Sequence, residues 1–262
     1  MITSEEIKAR LWNGANELRG SMDASRYKDY MLGLMFYKFL SDQTLKTFAT
    51  TAGISKEDNW FEEYKNAHQE YGTELEKMIR DILGYFVRPE HLYQTWIQDM
   101  NAGNFEVQKV IDSLNQFERS IAVTKGSNDF KGLFSSSTLD LTDTALGSNL
   151  NEQNKNIQAL IRLFEDLDMV ALQNGDVLGD AYEYLIGQFA MESGKKAGEF
   201  YTPHQVSEVM AQIVATNQNI TSIYDPTVGS GSLLLTVKNI YQKNYKKVSI
   251  TTGKKRTLQL IT

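Results

Sequence analysis

The sequence has no cysteine, only three prolines and only three histidines in 262 residues. Without cysteine there are no disulfides and no thiolate zinc sites, which fits a reducing, cytoplasmic setting. His68, His91 and His204 lie far apart, with no helical metal spacing, so no metal site is expected. No run reaches the roughly 18 apolar residues of a membrane-spanning helix. Glu5 and Glu6 stand where a secretory signal would be basic, so neither a membrane span nor a signal peptide is expected. Acid is also missing from one region. Nothing after Asp225 is acidic, whereas Lys238, Lys243, Lys246, Lys247, Lys254, Lys255 and Arg256 are basic.

What is present bounds the fold. Apolar residues make up 41% of the chain, which excludes wholesale disorder, and the length suits two ordinary domains. Net charge is −6, from 27 basic and 33 acidic residues. Phosphate neutralisation supplies most non-specific affinity for DNA, so an acidic chain is a poor DNA binder on its own.

The first half reads as helices. Thr3-x-x-Glu6 is a capping box, followed by the stripe Ile7, Leu11, Ala15 and Leu18, with Gly20 as the stop. From Arg26 to Leu45, residues Tyr27, Tyr30, Met31, Leu34, Tyr37 and Leu40 recur at helical spacing. Their apolar neighbours make these aromatics core residues rather than a base-stacking platform. Further helices are expected from Trp60, around Leu75 to Phe86, over Glu90 to Met100, and from Phe105 to Ile121. Lys125 to Asn149 is rich in Gly, Ser, Thr and Asp and reads as a linker between domains rather than a loop over a ligand path. Helices return over Asn151 to Leu167 and Val177 to Met191, and Ser193 to Gly198 reads as a polar loop. The expected domains are 1–150 and 151–262.

The chemistry-bearing stretch runs from Glu199 to Thr236. Ile223 and Tyr224 are β-formers that end at Asp225-Pro226. Gly229, Ser230 and Gly231 form a turn, and Leu233, Leu234, Leu235 and Val237 start a helix. Strand, glycine turn and helix together make a nucleotide cradle, because glycine admits close approach and the helix start offers free N–H groups. Ser232 and Leu233 follow Gly231 where a phosphate loop needs Lys and Ser/Thr, and Leu234 holds the place of a third dinucleotide glycine. Upstream, Thr202, Pro203 and Gln205 suit the N-cap, first and third positions of a helix. Val206, Val209, Met210, Ile213 and Val214 then share one face, expected to be a core face.

Asp-Pro-x-x-Gly-Ser-Gly resembles the first motif of S-adenosylmethionine-dependent DNA methyltransferases. Gly-Glu-Phe-Tyr-Thr-Pro upstream, Leu11 to Ser25 running into Leu32 to Asp42, and Gly179 to Leu185 resemble, in order, the modification (M) subunit of type I restriction-modification systems. The resemblance implies an α N-terminal helical domain followed by the beginning of an α/β Rossmann-like class I methyltransferase domain. It implies methyl transfer from S-adenosylmethionine to adenine N6 in DNA. The implied partners are DNA, a specificity subunit, a restriction subunit and a second M subunit. Carried over as cofactor contacts are Glu199, Phe200, Tyr201, Thr202, Pro203, His204, Asp225, Thr227, Gly229, Ser230, Gly231 and Ser232. In that family the Tyr-Thr-Pro segment lies beside the cofactor's methionine end and the following helix packs on the sheet. The zwitterionic methionine end can use an acid together with backbone N–H groups. The family's catalytic loop, Asn-Pro-Pro-Phe or Asn-Pro-Pro-Tyr, holds the extruded adenine. Pro89, Pro203 and Pro226 are the only prolines, so no catalytic residue is assigned and the 262 residues alone are expected not to methylate DNA. The alternative is a non-catalytic fragment that binds DNA or the specificity subunit.

Ser249 to Thr262 shows no clean strand or helix period. Read one base out of frame, Ile-Thr-Thr-Gly-Lys-Lys-Arg-Thr-Leu-Gln-Leu-Ile-Thr can be back-translated to His-Tyr-Tyr-Gly-Gln-Glu-Lys-Asn-Thr-Ala-Thr-Tyr-Asn. That resembles the family's next segment, whose Gln-Glu pair supplies the acid for the cofactor ribose. The expectation is a one-base shift near residues 238–248, with an early stop and an incomplete sheet. Coding DNA that continues in one frame from codon 236 without the family pattern would remove this expectation.

Overall fold

A computed structural model describes residues 4–18, 24–121, 130, 132–134, 139–174, 181, 183–185, 187–188, 202, 204–217, 220–226, 228, 231–244, 249–252 and 256–258. The chain forms two compact units, Met1–Phe189 and Ala190–Thr262.

The first unit is helical. Its elements are α1 (Ser4–Leu18), α2 (Ala24–Ala52), α3 (Trp60–Tyr71), α4 (Thr73–Leu83), α5 (Tyr93–Asn101), α6 (Val107–Ser120), α7 (Leu150–Arg162) and α8 (Met169–Asn174). Short 3-10 turns occur at Pro89–His91 and Thr144–Leu146. α2 is the spine. It runs past the expected Leu45 to Ala52, and α3, α4, α5, α7 and α8 all pack on it. Tyr30 and Tyr37 are core residues, as their period implied, and the Tyr27 side chain lies outside the description. Tyr37 is fully buried, stacks on Trp96 at 4.7 Å, and donates its hydroxyl to the His91 carbonyl at 2.9 Å. Burial holds the Tyr37 phenol far above its usual range.

Loops between these helices end where local chemistry stops them. Asn59 caps α3 by accepting from the Glu62 N–H at 3.3 Å. Gly84 closes α4 in the left-handed conformation, φ 81°, which glycine adopts without a Cβ penalty. The expected helix over Glu90 to Met100 begins later, at Tyr93, after the 3-10 turn at Pro89. α7 ends at Arg162 rather than Leu167, and residues 163–166 are turn.

The linker reading of Lys125 to Asn149 is overturned for its described residues. Phe134 packs edge-on against Tyr37 and Phe117, at 5.5 Å and 5.4 Å. Leu139, Leu141 and Leu146 are buried in the same core. Tyr30 donates to the Asp140 carbonyl at 2.8 Å, and Asn156 donates to the Leu146 carbonyl at 2.8 Å. Gly33 leaves room for this return, since a Cβ there would meet Leu139 Cδ1 at 2.8 Å. A polar composition hid four apolar anchors spaced too irregularly to show a period.

The compact units part at 189/190, and Ile157, Leu160, Ile161, Phe164 and Leu167 lie in the helical core. One ion pair fastens the segment between α7 and α8 to α2. Lys38 and Asp42, 5% and 11% exposed, sit one turn apart on α2 at 2.6 Å. Lys38 also donates to the Leu167 carbonyl at 3.0 Å. Asp42 accepts from Gln94 at 2.8 Å and from the Met169 N–H at 3.2 Å. Desolvation raises the Asp42 pKa despite Lys38.

The second unit contains α9 (His204–Ala215), β1 (Ser222–Asp225), α10 (Ser232–Asn244), β2 (Ser249–Thr252) and β3 (Arg256–Leu258). The sheet order is β1-β2-β3. β2 is parallel to β1, with Ser222 opposite Ser249 and Asp225 opposite Thr252, and β3 is antiparallel to β2. Ser249 to Thr262 was read as showing no clean strand or helix period. The β-branched run Ile250-Thr251-Thr252 nevertheless pairs with β1, so tertiary pairing supplies what the pattern lacks.

Candidate cofactor site

β1, the turn after it and α10 form the strand–turn–helix expected of a nucleotide cradle. β1 ends at Asp225, which is half-buried, and α10 begins at Ser232. Gly231 has φ 79°, a conformation that favours glycine, and donates its N–H to the Val228 carbonyl at 2.7 Å. Its own carbonyl accepts from the Leu235 N–H at 3.0 Å, so the turn runs directly into the first turn of α10. A Cβ on Gly231 would meet nothing nearer than Val228 Cγ2 at 4.0 Å, so the backbone conformation, rather than lack of space, calls for glycine.

The donor set suits a zwitterion. A carboxylate at the strand end can take a cation, and the free N–H groups at the start of a 13-residue helix favour an anion. Those are the two charges of a methionine moiety, so the described residues fit S-adenosylmethionine. Thr202 is half-buried and lies just before α9. His204 and Ser232 open α9 and α10, and their side chains fall outside the description. Glu199, Phe200, Tyr201, Pro203, Thr227, Gly229 and Ser230 lie outside the described residues, and with Pro203 its expected place as first helical residue.

α9 corrects one expectation. Val206, Val209, Met210, Ile213 and Val214 share a face, but that face is open, with exposures from 44% to 65%. The buried face is instead Ser207, Ala211 and Ala215, turned to α10. Small residues every fourth position let two helix backbones approach closely, so this contact was readable in the sequence. On α10 the buried positions Leu234, Val237 and Tyr241 recur at helical spacing, and Tyr241 clusters with Ala215, Ile220, Ile223 and Ile240.

Away from the cradle, the first unit has a cavity of about 500 Å³ lined by Arg80, Arg88 and Arg119 around Phe86. Arg80 lies 4.6 Å from the Phe86 ring, and Arg88 is tied to Glu76 at 2.7 Å. Burial works against the charge of Glu76, but its bonds from Arg88 and His68 outweigh that and lower its pKa. Among the described residues no group of His, Cys, Asp or Glu could hold a metal ion, and no helix is long and apolar enough to cross a membrane.

Comparison with known proteins accounts for both units. A family model described as the HsdM N-terminal domain matches residues 7–164, and one described as N-6 DNA Methylase matches residues 173–258. The type I restriction enzyme MpnII methylase subunit of Mycoplasma pneumoniae is 30% identical over 245 residues, covering 90% of this chain and 45% of that protein. The MjaIX methylase subunit of Methanocaldococcus jannaschii is 25% identical over 241 residues, 88% of this chain and 38% of that protein. The crystal structure of a type I restriction-modification methyltransferase subunit from Streptococcus thermophilus superposes with a TM-score of 0.78 at 33% identity. That match covers 95% of this chain and 52% of that one. The chain spans about half the length of the relatives it matches, with a helical domain of their N-terminal type followed by part of their methylase domain. On these matches the chain belongs to the methylase-subunit family of type I restriction-modification systems.

Proposed function

We propose that this chain contributes the helical domain and the cofactor-binding β-α-β unit to an enzyme that methylates adenine N6 in DNA. The observation that carries this reading is Asp225 at the end of β1, followed by the left-handed Gly231 and the start of α10. Bound S-adenosylmethionine supplies the electrophilic methyl group. Asp225 takes the ammonium end of the methionine moiety. The N–H groups at the start of α10 take its carboxylate, with Gly229, Ser230, Gly231, Ser232 and Thr227 in the turn. Glu199 to His204 are proposed as further contacts to the same end of the cofactor. By function we divide the chain into 1–150 and 151–262.

No Asn-Pro-Pro-Phe or Asn-Pro-Pro-Tyr occurs among these 262 residues, so binding and orienting the cofactor is their part of the chemistry. A specificity subunit reads the DNA, which suits a chain of net charge −6. A restriction subunit, a second M subunit and a cytoplasmic setting complete the proposal. The open apolar face of α9 favours a second reading, a non-catalytic docking fragment.

Titration calorimetry with S-adenosylmethionine tests the first reading. Weak binding is expected, above the low-micromolar range, and Asp225→Ala is expected to abolish it. Binding unchanged by Asp225→Ala would overturn the site assignment. Methyl transfer to DNA by the purified 262-residue chain would overturn the division of labour.

A further inference from the structure

The arginine-lined cavity of the helical unit takes no part in the cofactor cradle. Its volume of about 500 Å³ lies within the range of small-molecule pockets, about 300–1,000 Å³, and is more than one oxyanion fills. Its cations come from three places in the chain. Arg80 lies in the last turn of α4, Arg88 follows that helix, and Arg119 lies in the last turn of α6. A chain of net charge −6 thus gathers three guanidinium groups on one concave surface.

The ring of Phe86 organises them. Phe86 is 3% exposed, with the Arg80 and Arg88 guanidinium groups 4.6 Å and 5.9 Å from its centre. The Phe86 N–H donates to Ser120 Oγ at 3.2 Å, which pins this loop to the end of α6. A guanidinium held over a ring keeps its N–H fork for an oxyanion and loses little freedom when one binds.

Arg88 is already engaged by Glu76. Arg80 Nε is buried without a hydrogen-bond partner, and Arg119 is exposed and makes no ion pair among the described residues. Helix dipoles favour a cation in a last turn, but they give this buried Nε no acceptor, and such a donor is costly to leave unpaired. Gln116 Oε1, on the same lining, is a buried acceptor without a donor. Asp112, Asn115 and Gln116 all come from α6 and supply acceptors for hydroxyl groups.

Charge and shape narrow the occupant. Glu90 and Asp112 stand close enough to His91 to favour its charged form, although burial outweighs them and lowers its pKa. A DNA strand would lay a row of phosphates across these carboxylates, whereas a single phosphate can sit among the arginines. A carboxylate is planar and suits one fork. The tetrahedral oxygens of a phosphate suit forks that arrive from separate elements.

We infer that this cavity binds a small hydroxyl-bearing phosphomonoester, a sugar phosphate. Arg80 and Arg119 hold the phosphate, and Gln116 accepts from a hydroxyl group. The test titrates the 262-residue chain with ribose 5-phosphate by calorimetry, beside inorganic phosphate, ribose and a short DNA duplex. Ribose 5-phosphate is expected to bind one-to-one, at least five-fold more tightly than inorganic phosphate, and ribose not at all. Arg80→Lys keeps the charge but loses the fork, and is expected to weaken binding at least ten-fold. Arg119→Gln is expected to do the same, and because Arg119 is exposed it tests the site without disturbing the core. Gln116→Leu is expected to remove the advantage over inorganic phosphate. Lys155→Gln removes an exposed cation outside the cavity and is expected to change nothing.

Binding of neither phosphate overturns the proposal. So does binding that Lys155→Gln weakens as much as Arg119→Gln, the mark of diffuse charge. Equal affinity for ribose 5-phosphate and inorganic phosphate overturns the sugar assignment. A duplex that displaces ribose 5-phosphate and binds more tightly overturns the small-molecule one. S-adenosylmethionine carries no phosphate and is expected to leave the titration unchanged, so this site and the cofactor reading stand or fall separately.

Discussion

The two units solve the burial problem differently. The helical unit surrounds Tyr37, Trp96 and Phe117 with further aromatics, and its deeply buried charges are paired. The second unit gathers Ala215 and Tyr241 with partly buried Ile220, Ile223 and Ile240, and leaves the broad face of α9 open. A domain is stable when burial outweighs the entropy of ordering its chain. The helical unit therefore has the means to fold by itself, whereas the second unit has little core among its described residues. Stability in such a chain is a property of each unit, and a single unfolding midpoint does not describe it.

The largest effect is expected in the helical core. Trp96 is fully buried, stacks on Tyr37 and donates to Ser113 Oγ at 3.0 Å. Trp96→Ala is expected to cost about 3–5 kcal/mol, read by urea denaturation. Hydrogen exchange in α10 should not change. If it does, the units are coupled and the contrast between them fails.

Asp42→Ala probes the same unit through charge. It leaves Lys38, 5% exposed, without its carboxylate, and is expected to cost about 3–5 kcal/mol. Lys38→Met/Asp42→Leu removes both charges and is expected to recover part of that loss in the same denaturation assay. A double variant as unstable as the single one would show that the hydrogen bonds from Gln94 and Met169 to Asp42, rather than the charge balance, hold the segment after α7 to α2.

Much of this contrast was legible in the sequence. The stripe of α2 and the caps of α3 and α4 follow from local chemistry, and the strand–turn–helix from Ser222 to Asn244 follows from residue order. What escaped was tertiary. Phe134 and Leu139 anchor a polar segment without any period, and residues 249–252 become a strand through pairing with β1. The α9 face was read correctly as apolar, but burial depends on what lies opposite, which one helix does not specify. Its small-residue face was legible and was passed over for the larger hydrophobic one.

A smaller effect is expected in the second unit. Ala211 is fully buried, on the face of α9 that meets α10. Ala211→Leu forces the helices apart and is expected to cost about 1–3 kcal/mol. Exchange in α9 and α10 should quicken while α2 stays protected. Quickening across both units would again break the comparison.

Acid sharpens it from the other side. The Glu76 pKa is lowered from 4.5 by Arg88 and His68, so below 4.5 the unfolded chain binds more protons than the folded one. Stability from this group is full above that value and is lost as pH falls through the folded pKa. A pH series of urea midpoints is expected to show a shallower acid slope in Glu76→Gln than in the unaltered chain. Equal slopes would remove Glu76 from the account.

The smallest effect on stability is expected where the sequence looks most like core. Ile213 is the most exposed of the α9 stripe, at 65%, so little apolar surface is lost with it. Ile213→Ser is expected to stay within about 0.5 kcal/mol of the unaltered chain. It should nonetheless reduce self-association at high concentration, because exposed apolar patches drive contacts between molecules. Light scattering and denaturation on one preparation separate the two effects. A cost of about 2 kcal/mol or more, typical of a buried isoleucine, would mean that the stripe is covered in the chain by itself. The two units would then be equally finished, and no partner would be needed to explain the face.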